Sequence, residues 1–314
     1  MGLVRFVAGR LASTLAVLAV VAVVVFLLVR LTGDPAALLA GDNATPEQMA
    51  RIRESLGLTR PLPVQFGLWC RQVLGGDLGA SLYYRTPVTA LIGQHLEPTA
   101  ALAVTTMVWA LLVAIPLGVV AAWRQGGWLD RTLMSASTLG FSVPVFVVGY
   151  VLVWVVALKW RWLPVQGYGR LEDGLGEFAR HIALPALTLS VVYIALLART
   201  TRAAVAQTLT EDYVKTARAK GLPEWQVLVR HALVNATAPI ITVIGVGLAL
   251  LLSGAVVTER VFAIPGLGSL MVGAVEARDF PVVQGVILLF ACTYVLVNLL
   301  IDVSYAVFDP RIRY

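Results

Sequence analysis

Six long apolar stretches of this 314-residue chain, at about 11–29, 98–123, 132–158, 182–198, 236–258 and 282–301, contain no Asp, Glu, Lys or Arg at all. A helix that crosses ~30 Å of hydrocarbon needs about 20 mainly apolar residues. Lipid offers no hydrogen-bond partners, so a spanning segment must satisfy its own backbone. No alternating ten-residue barrel pattern is visible, so helices are the expected solution. A soluble bundle would carry polar faces along these runs. Hydrophobic residues make up 59% of the chain, and the mean hydropathy of +0.83 exceeds what the buried core of a water-soluble domain requires. The expected fold class is an all-α integral membrane protein with six transmembrane helices.

The first run reads as an anchor rather than a cleaved leader. Its apolar core is longer than the usual 7–15 residues or so, and Arg30-Leu31-Thr32-Gly33-Asp34 is a poor cleavage site. With the N-terminus inside, the inner side carries twelve Lys and Arg, from Arg5 and Arg10 through Arg199, Arg202, Lys215, Arg218 and Lys220 to Arg311 and Arg313. The outer side carries seven, leaving aside five Arg in the long loop 32–97. Positive charge accumulates inside, so both termini are expected on the cytoplasmic side. The formal net charge of +6 then reflects topology and anionic headgroups, and nucleic acid is not an expected partner.

Cys70 and Cys292 fall on different parts of the chain, and His95, His181 and His231 lie on separate loops without a ligand-spaced cluster. Neither a disulfide framework nor a metal site is expected. In the loop 32–97, Thr45-Pro46-Glu47-Gln48 combines an N-cap, a Pro at the first helical position and a Gln that closes a capping box. This predicts a helix over about 46–56, ended by Gly57. The aromatic and aliphatic residues that follow, among them Leu62, Phe66, Trp69 and Val73, predict a small compact lobe rather than a linker.

The stretch Glu211–Trp225, EDYVKTARAKGLPEW, concentrates charge in an otherwise oily chain. Thr208-Leu209-Thr210-Glu211 has a capping-box pattern, Gly221 suits a left-handed helix terminus and Pro223 blocks continuation. A helix of about ten residues is predicted, then a second short helix from Glu224 toward His231 and Asn235. Ala217, Ala219 and Gly221 leave the end of the first helix thin. Tyr213 and Val214 offer apolar contact, and Lys215, Arg218 and Lys220 add positive charge. Such a helix suits docking into a groove of another protein; a solvated loop that merely sets topology is the plainer reading.

The stretch DYVKTARAKGLPEWQVLVRHALVNATAPIIT resembles the coupling motif of ABC-transporter permease subunits. GDPAALLAG, GGDLGASLYYRTPV, AAWRQGGWLDR, VTERVFAIPGLGSLMVGAVEARDFPVVQG and NLLIDVSYAVFDPRIRY extend the likeness over most of the chain. Together they resemble the B-type membrane subunit of dipeptide and oligopeptide importers. The leading Glu of the motif is absent here, where Lys215 and Thr216 stand.

The resemblance implies an organisation of 1–31 as N-terminus and first span, 32–97 as an extracytoplasmic lobe, 98–305 as a permease core containing a cytoplasmic coupling loop 199–235, and 306–314 as a cytoplasmic tail. It implies a bacterial inner-membrane location and a non-catalytic role. The coupling residues would be Glu211, Asp212, Tyr213, Lys215, Ala217, Arg218, Ala219, Lys220 and Gly221; pathway candidates are Ser142, Pro144, Gly245, Gly247 and Ser253. Implied partners are a second homologous permease in a heterodimer, two ABC ATPase subunits that bind ATP and Mg, and an extracytoplasmic solute-binding protein.

The chain's own residues agree with that division of labour. Its lysines follow Leu158, Val214 and Ala219, so no Gly-Lys-Ser/Thr phosphate loop exists. Peptides are the commonest implied cargo; nickel chelates, heme or other small solutes are the alternative. An ion-coupled carrier would place ionisable groups at membrane depth, which the six runs lack. A membrane enzyme would need a nucleophile–base pair that Ser142 and His181 do not supply. A passive channel gives no reason for the docking helix.

Overall fold

In the computed structural model, residues 2–32, 45–55 and 57–308 are described. The Gly33–Gly41 motif and the tail from 309 lie outside them. The chain divides into two compact units. One comprises residues 3–97 and 269–296, the other 98–268 and 297–314. The helices in chain order are α1 (Gly2–Thr32), α2 (Pro46–Ser55), α3 (Leu62–Leu74), α4 (Val88–Trp123) and α5 (Trp128–Ser142). They continue as α6 (Val145–Lys159), α7 (Leu175–Thr208), α8 (Asp212–Ala219), α9 (Glu224–Leu233), α10 (Thr237–Val261), α11 (Leu267–Glu276) and α12 (Phe280–Phe308).

Four of these helices are long and apolar enough to cross a membrane, and the number reaches six when each of two bent pairs is one span. The first bent pair corrects the expectation of a continuous third helix, for α5 and α6 meet at 102°. The cause is local. Pro144 has no N–H to give and disfavours helix at the residue before it, so Val143 is extended at φ −93°, ψ 123°. The second pair, α9 and α10, meets at 64°. Pro239 is the third residue of α10, where its missing N–H costs nothing. The apolar runs also underestimate helix length. α7 continues through Arg199 and Arg202 to Thr208, because charge ends a lipid-facing run without ending a helix.

In the first unit the predicted α2 forms with its capping box. The Thr45 amide donates to Gln48 Oε1 at 3.0 Å, the Gln48 amide donates to Thr45 Oγ1 at 3.3 Å, and Gly57 closes the segment at φ +67°. Phe26 of α1 packs on Phe66 and Trp69 of α3, with ring centroids 5.3 and 5.7 Å apart. The Gln65 side-chain amide donates to the carbonyls of Leu58 and Arg60 and so holds the α2–α3 connection on that cluster.

In the second unit α7 is the central helix. Leu184, Leu189, Tyr193, Leu197 and Ala198 sit in one buried cluster with Leu102, Ala110 and Ala114 of α4, Leu251 and Ala255 of α10, and Phe262. Alanines and glycines set the spacing. A Cβ at Gly118 would lie 2.6 Å from Thr201 Cβ, and one at Gly149 would lie 3.2 Å from Thr188 Cγ2.

Candidate functional site

The stretch Glu211–Trp225 folds as two short helices joined by a tight turn, as its sequence predicts. The expected capping box does not form. Thr208 is still the last residue of α7, so its hydroxyl turns back to the Ala204 carbonyl at 2.9 Å, and Thr210 donates to Gln207 O. The N-cap of α8 is Glu211, with no side-chain cap. The C-terminus follows the Schellman pattern: the Gly221 amide donates to Arg218 O at 2.9 Å and the Leu222 amide to Ala217 O at 3.4 Å. Gly221 at φ +78° supplies the left-handed residue this turn needs.

Tertiary packing settles which face of α8 is inward. Val214 and Ala217 are buried together with Val227 of α9, and Leu222 packs against them. Of the nine residues expected to couple, Ala217 is therefore part of the hairpin's own seam. Glu211, Asp212, Tyr213, Lys215, Arg218, Ala219, Lys220 and Gly221 are exposed, and so is Trp225. A Cβ at Gly221 would meet nothing within 4 Å. The positive charge is partly neutralised within the hairpin. Lys215 Nζ lies 2.8 Å from Asp212 Oδ1, and Arg218 reaches Glu224 at 2.6 Å, tying α8 to α9. The hydrogen bond from Lys215 holds the Asp212 carboxyl below its ordinary value, and the hydrogen bonds that Arg218 donates to Glu224 hold the guanidinium more firmly protonated.

The hairpin is attached at both ends to the helical core. Val205 and Ala206 of α7 are buried with Leu228 and Ala232 of α9, Ala236, and Ile240 of α10. Ten residues before the start of α8, Arg202 makes a two-pronged ion pair with buried Asp130, at 2.8 and 2.7 Å, and Asp130 also accepts the Gly126 amide at 2.9 Å. This pair joins the α4–α5 turn to the helix that leads into the hairpin. Sequence reasoning counted Arg202 only as a topological charge, since its partner is 72 residues away.

A second buried carboxylate was also missed. Glu259, near the end of α10, is fully buried and accepts a hydrogen bond from Thr99 Oγ1 at 2.6 Å; Thr99 Oγ1 in turn accepts the Leu267 amide at 2.8 Å. Gly266 and Gly268 make room for it, since a Cβ at Gly266 would lie 2.3 Å from Glu259 Cδ. The glycines of the motif AIPGLG are thus a cradle for a buried acid. Of the pathway candidates, Ser142 and Pro144 lie at the α5–α6 break, and the Ser142 hydroxyl donates to Thr138 O at 3.0 Å. Gly245 faces Ile301 of α12, where a Cβ would fall 1.8 Å from Cδ1, and Gly247 faces Tyr193 and Met107. The side chain of Ser253 lies outside the described residues. Among the described residues no three His, Cys, Asp or Glu side chains group as a metal site.

Four membrane-length helices and two sharply bent apolar helix pairs, with a short exposed hairpin between α7 and α10, describe a multi-pass membrane protein. The same fold occurs in an inward-facing structure of the MetNI methionine ABC transporter, with a TM-score of 0.58 at 17% identity over 70% of this chain and 96% of that one. The family described as binding-protein-dependent transport system inner membrane component matches residues 114–314, and the N-terminal component of such systems matches residues 3–103. The chain belongs to this family. It is 50% identical to a probable peptide ABC transporter permease protein of Sinorhizobium fredii, over 98% of this chain and 99% of that one. It is 41% identical to the glutathione transport system permease protein of Escherichia coli K12, over 99% and 100%. It is a multi-pass inner-membrane component of an ABC importer.

Proposed function

We propose that this chain forms half of the translocation pathway of a peptide importer and transmits ATPase closure to it through the α8–α9 hairpin. Peptide cargo is supported by the names of two relatives aligned over nearly their whole length, one a peptide and the other a glutathione permease. The observation that carries the coupling role is the hairpin itself. It is stiffened from within by Val214, Ala217, Val227 and the Arg218–Glu224 pair, ended by a Schellman turn, and presents Tyr213, Ala219, Lys220, Gly221 and Trp225 outward.

In this reading both termini and the loop 199–235 are cytoplasmic, 32–97 is an extracytoplasmic lobe and 98–305 is the permease core. The assembly holds one second permease, two ATPase subunits carrying ATP and Mg, and a solute-binding protein. The chain itself binds no cofactor. Closure of the ATPases moves α8 as a rigid body, and α7 and α10, which flank the hairpin, pass the motion on. The break at Ser142–Pro144 and the small residues Gly245, Gly247 and Ser253 of α10 are what we assign to the pathway, because local bending and close helix approach are available there.

Two experiments test the reading. Alkaline phosphatase fused after Ala80 is expected to be active and after Lys220 inactive; the reverse overturns the sidedness. The purified chain is expected to hydrolyse no ATP until ATPase subunits and a second permease are added, whereupon proteoliposomes with the binding protein accumulate peptide. Hydrolysis by this chain alone, or uptake indifferent to peptide, refutes the assignment.

A further inference from the structure

Segment 145–171 of the second unit carries three cations, Lys159, Arg161 and Arg170, and no acid. Its first part is α6, one arm of a bent apolar pair. One side of α6 is spent on the core: Leu152, Val153 and Val156 pack there, and Gly149 is buried against Thr188 and Phe262. The other side stays outward. Phe146, Tyr150, Trp154 and Leu158 recur at intervals of four residues, which places them along one face, and each is between 45% and 60% exposed. The rise from Phe146 to Leu158 is roughly 15–18 Å, close to the ~15 Å depth of one leaflet.

A cationic, aromatic corner ends this stripe. The Trp160 amide donates to Val155 O and the Trp162 amide to Val156 O, both at 3.0 Å, so the turn after α6 is fixed by its own backbone. Arg161 stands between them at φ +57°, where glycine would be less strained. The indoles of Trp160 and Trp162 lie together, centroids 4.6 Å apart, and Lys159 Nζ is 5.9 Å from the ring centroid of Trp154, which brings the ammonium to the end of the stripe. Lys159, Trp160, Arg161 and Trp162 are all exposed. Arg170 is neutralised by Glu172, and Glu177 of α7 faces Arg180 and His181. Among the described residues neither Lys159 nor Arg161 has a carboxylate at ion-pair distance, so the corner keeps two uncompensated positive charges.

We propose that this face binds one anionic phospholipid, its acyl chain along Phe146, Tyr150 and Trp154 and its phosphate between Lys159 and Arg161. A lipid tail matches an uncharged stripe of one leaflet's length, indoles favour the boundary between hydrocarbon and headgroups, and basic residues at that boundary attract anionic heads. The ammonium of a zwitterionic head would be repelled by the two cations, so the preference is for a lipid of net negative charge. Coverage by a protein would instead require acids opposite Lys159 and Arg161. A translocated peptide would need hydrogen-bond partners, which the stripe offers only at the Tyr150 hydroxyl. Such a site depends on α5 and α6 forming one span and is independent of cargo and sidedness.

The test uses the assembled importer in phosphatidylcholine nanodiscs, with bimane attached at Tyr150→Cys in a chain whose Cys70 and Cys292 are replaced by Ser and with cysteine-free partner subunits. Quenching is titrated with dibrominated phosphatidylglycerol or dibrominated phosphatidylethanolamine. Each basic residue at a headgroup is worth roughly fivefold, so phosphatidylglycerol is expected to quench at a mole fraction about 25-fold lower than phosphatidylethanolamine does. Arg161→Gly alone should lower that preference about fivefold with the thermal midpoint equal or higher, and adding Lys159→Gln should abolish it. Trp160→Ala with Trp162→Ala should weaken both lipids alike and leave their ratio.

Equal quenching by the two lipids, or a preference that survives loss of both charges, overturns the site. Absence of quenching by either lipid means that a partner subunit covers the stripe, and overturns it as well. Binding is read without transport, so its failure leaves the assignment as a permease standing.

Discussion

Gly221 separates backbone strain from obstruction of a partner, because the two effects scale differently with side-chain size. Its φ of +78° is unfavourable for any residue with a Cβ, at a cost of about 1 kcal/mol. A Cβ there meets nothing of this chain within 4 Å, so no intramolecular clash adds to that figure. Gly221→Ala and Gly221→Leu are therefore expected to destabilise the chain almost equally, by about 1 kcal/mol each. Their effects on coupling should diverge. Ala adds one methyl to an exposed turn, whereas Leu projects an isobutyl group into the space a partner's groove must occupy. Three measurements on each variant suffice: the thermal midpoint of the assembled importer, the amount of ATPase that co-purifies, and peptide uptake into proteoliposomes. The expected order of uptake is Gly, then Ala, then Leu, with Leu strongly impaired and its ATPases either lost or hydrolysing without transport. If Leu transports like Gly, or if Ala and Leu are equally impaired in step with equal destabilisation, the hairpin does not insert into a groove at this point.

Asp130→Asn leaves the Arg202 guanidinium opposite a neutral amide. Because the Arg202 side chain is 22% exposed, the expected loss is about 3 kcal/mol, at the lower end for a broken buried pair, read as a lower thermal midpoint; a change below about 1 kcal/mol rejects the role given to this pair. Gly266→Ala drives a methyl to within 2.3 Å of Glu259 Cδ and is expected to cost about 1–3 kcal/mol, less when Glu259 is also Ala; simple additivity of the two changes argues against the cradle. Gly245→Ala should be tolerated poorly with Ile301 present and better with Ile301→Ala, since the intruding atom is Ile301 Cδ1 at 1.8 Å; no rescue of the midpoint rejects the close approach of α10 and α12 at this glycine.

What the sequence alone determined is what depends on near neighbours in the chain. Uncharged runs long enough for lipid marked the spans. Thr45 and Gln48, three residues apart, specified the cap of α2, while Gly221 and Pro223 specified where α8 stops and α9 starts. These are interactions over a few residues, and local backbone geometry decides them. The same locality explains the failure at Thr208, whose hydroxyl had a carbonyl of its own helix within reach before any new helix began.

Tertiary structure alone decided the rest. The 102° turn after Ser142 follows from Pro144, but its angle depends on what α5 and α6 pack against. Arg202 and Asp130, Thr99 and Glu259, and Ser81 and Asp279 are separated by 72, 160 and 198 residues. Polar residues in the sequence show a need for partners, but only helices already packed bring those partners within hydrogen-bond distance. Burial then decides the consequence, because removing Val214 and Ala217 from solvent leaves Tyr213, Lys220 and Gly221 as the surface another protein can meet.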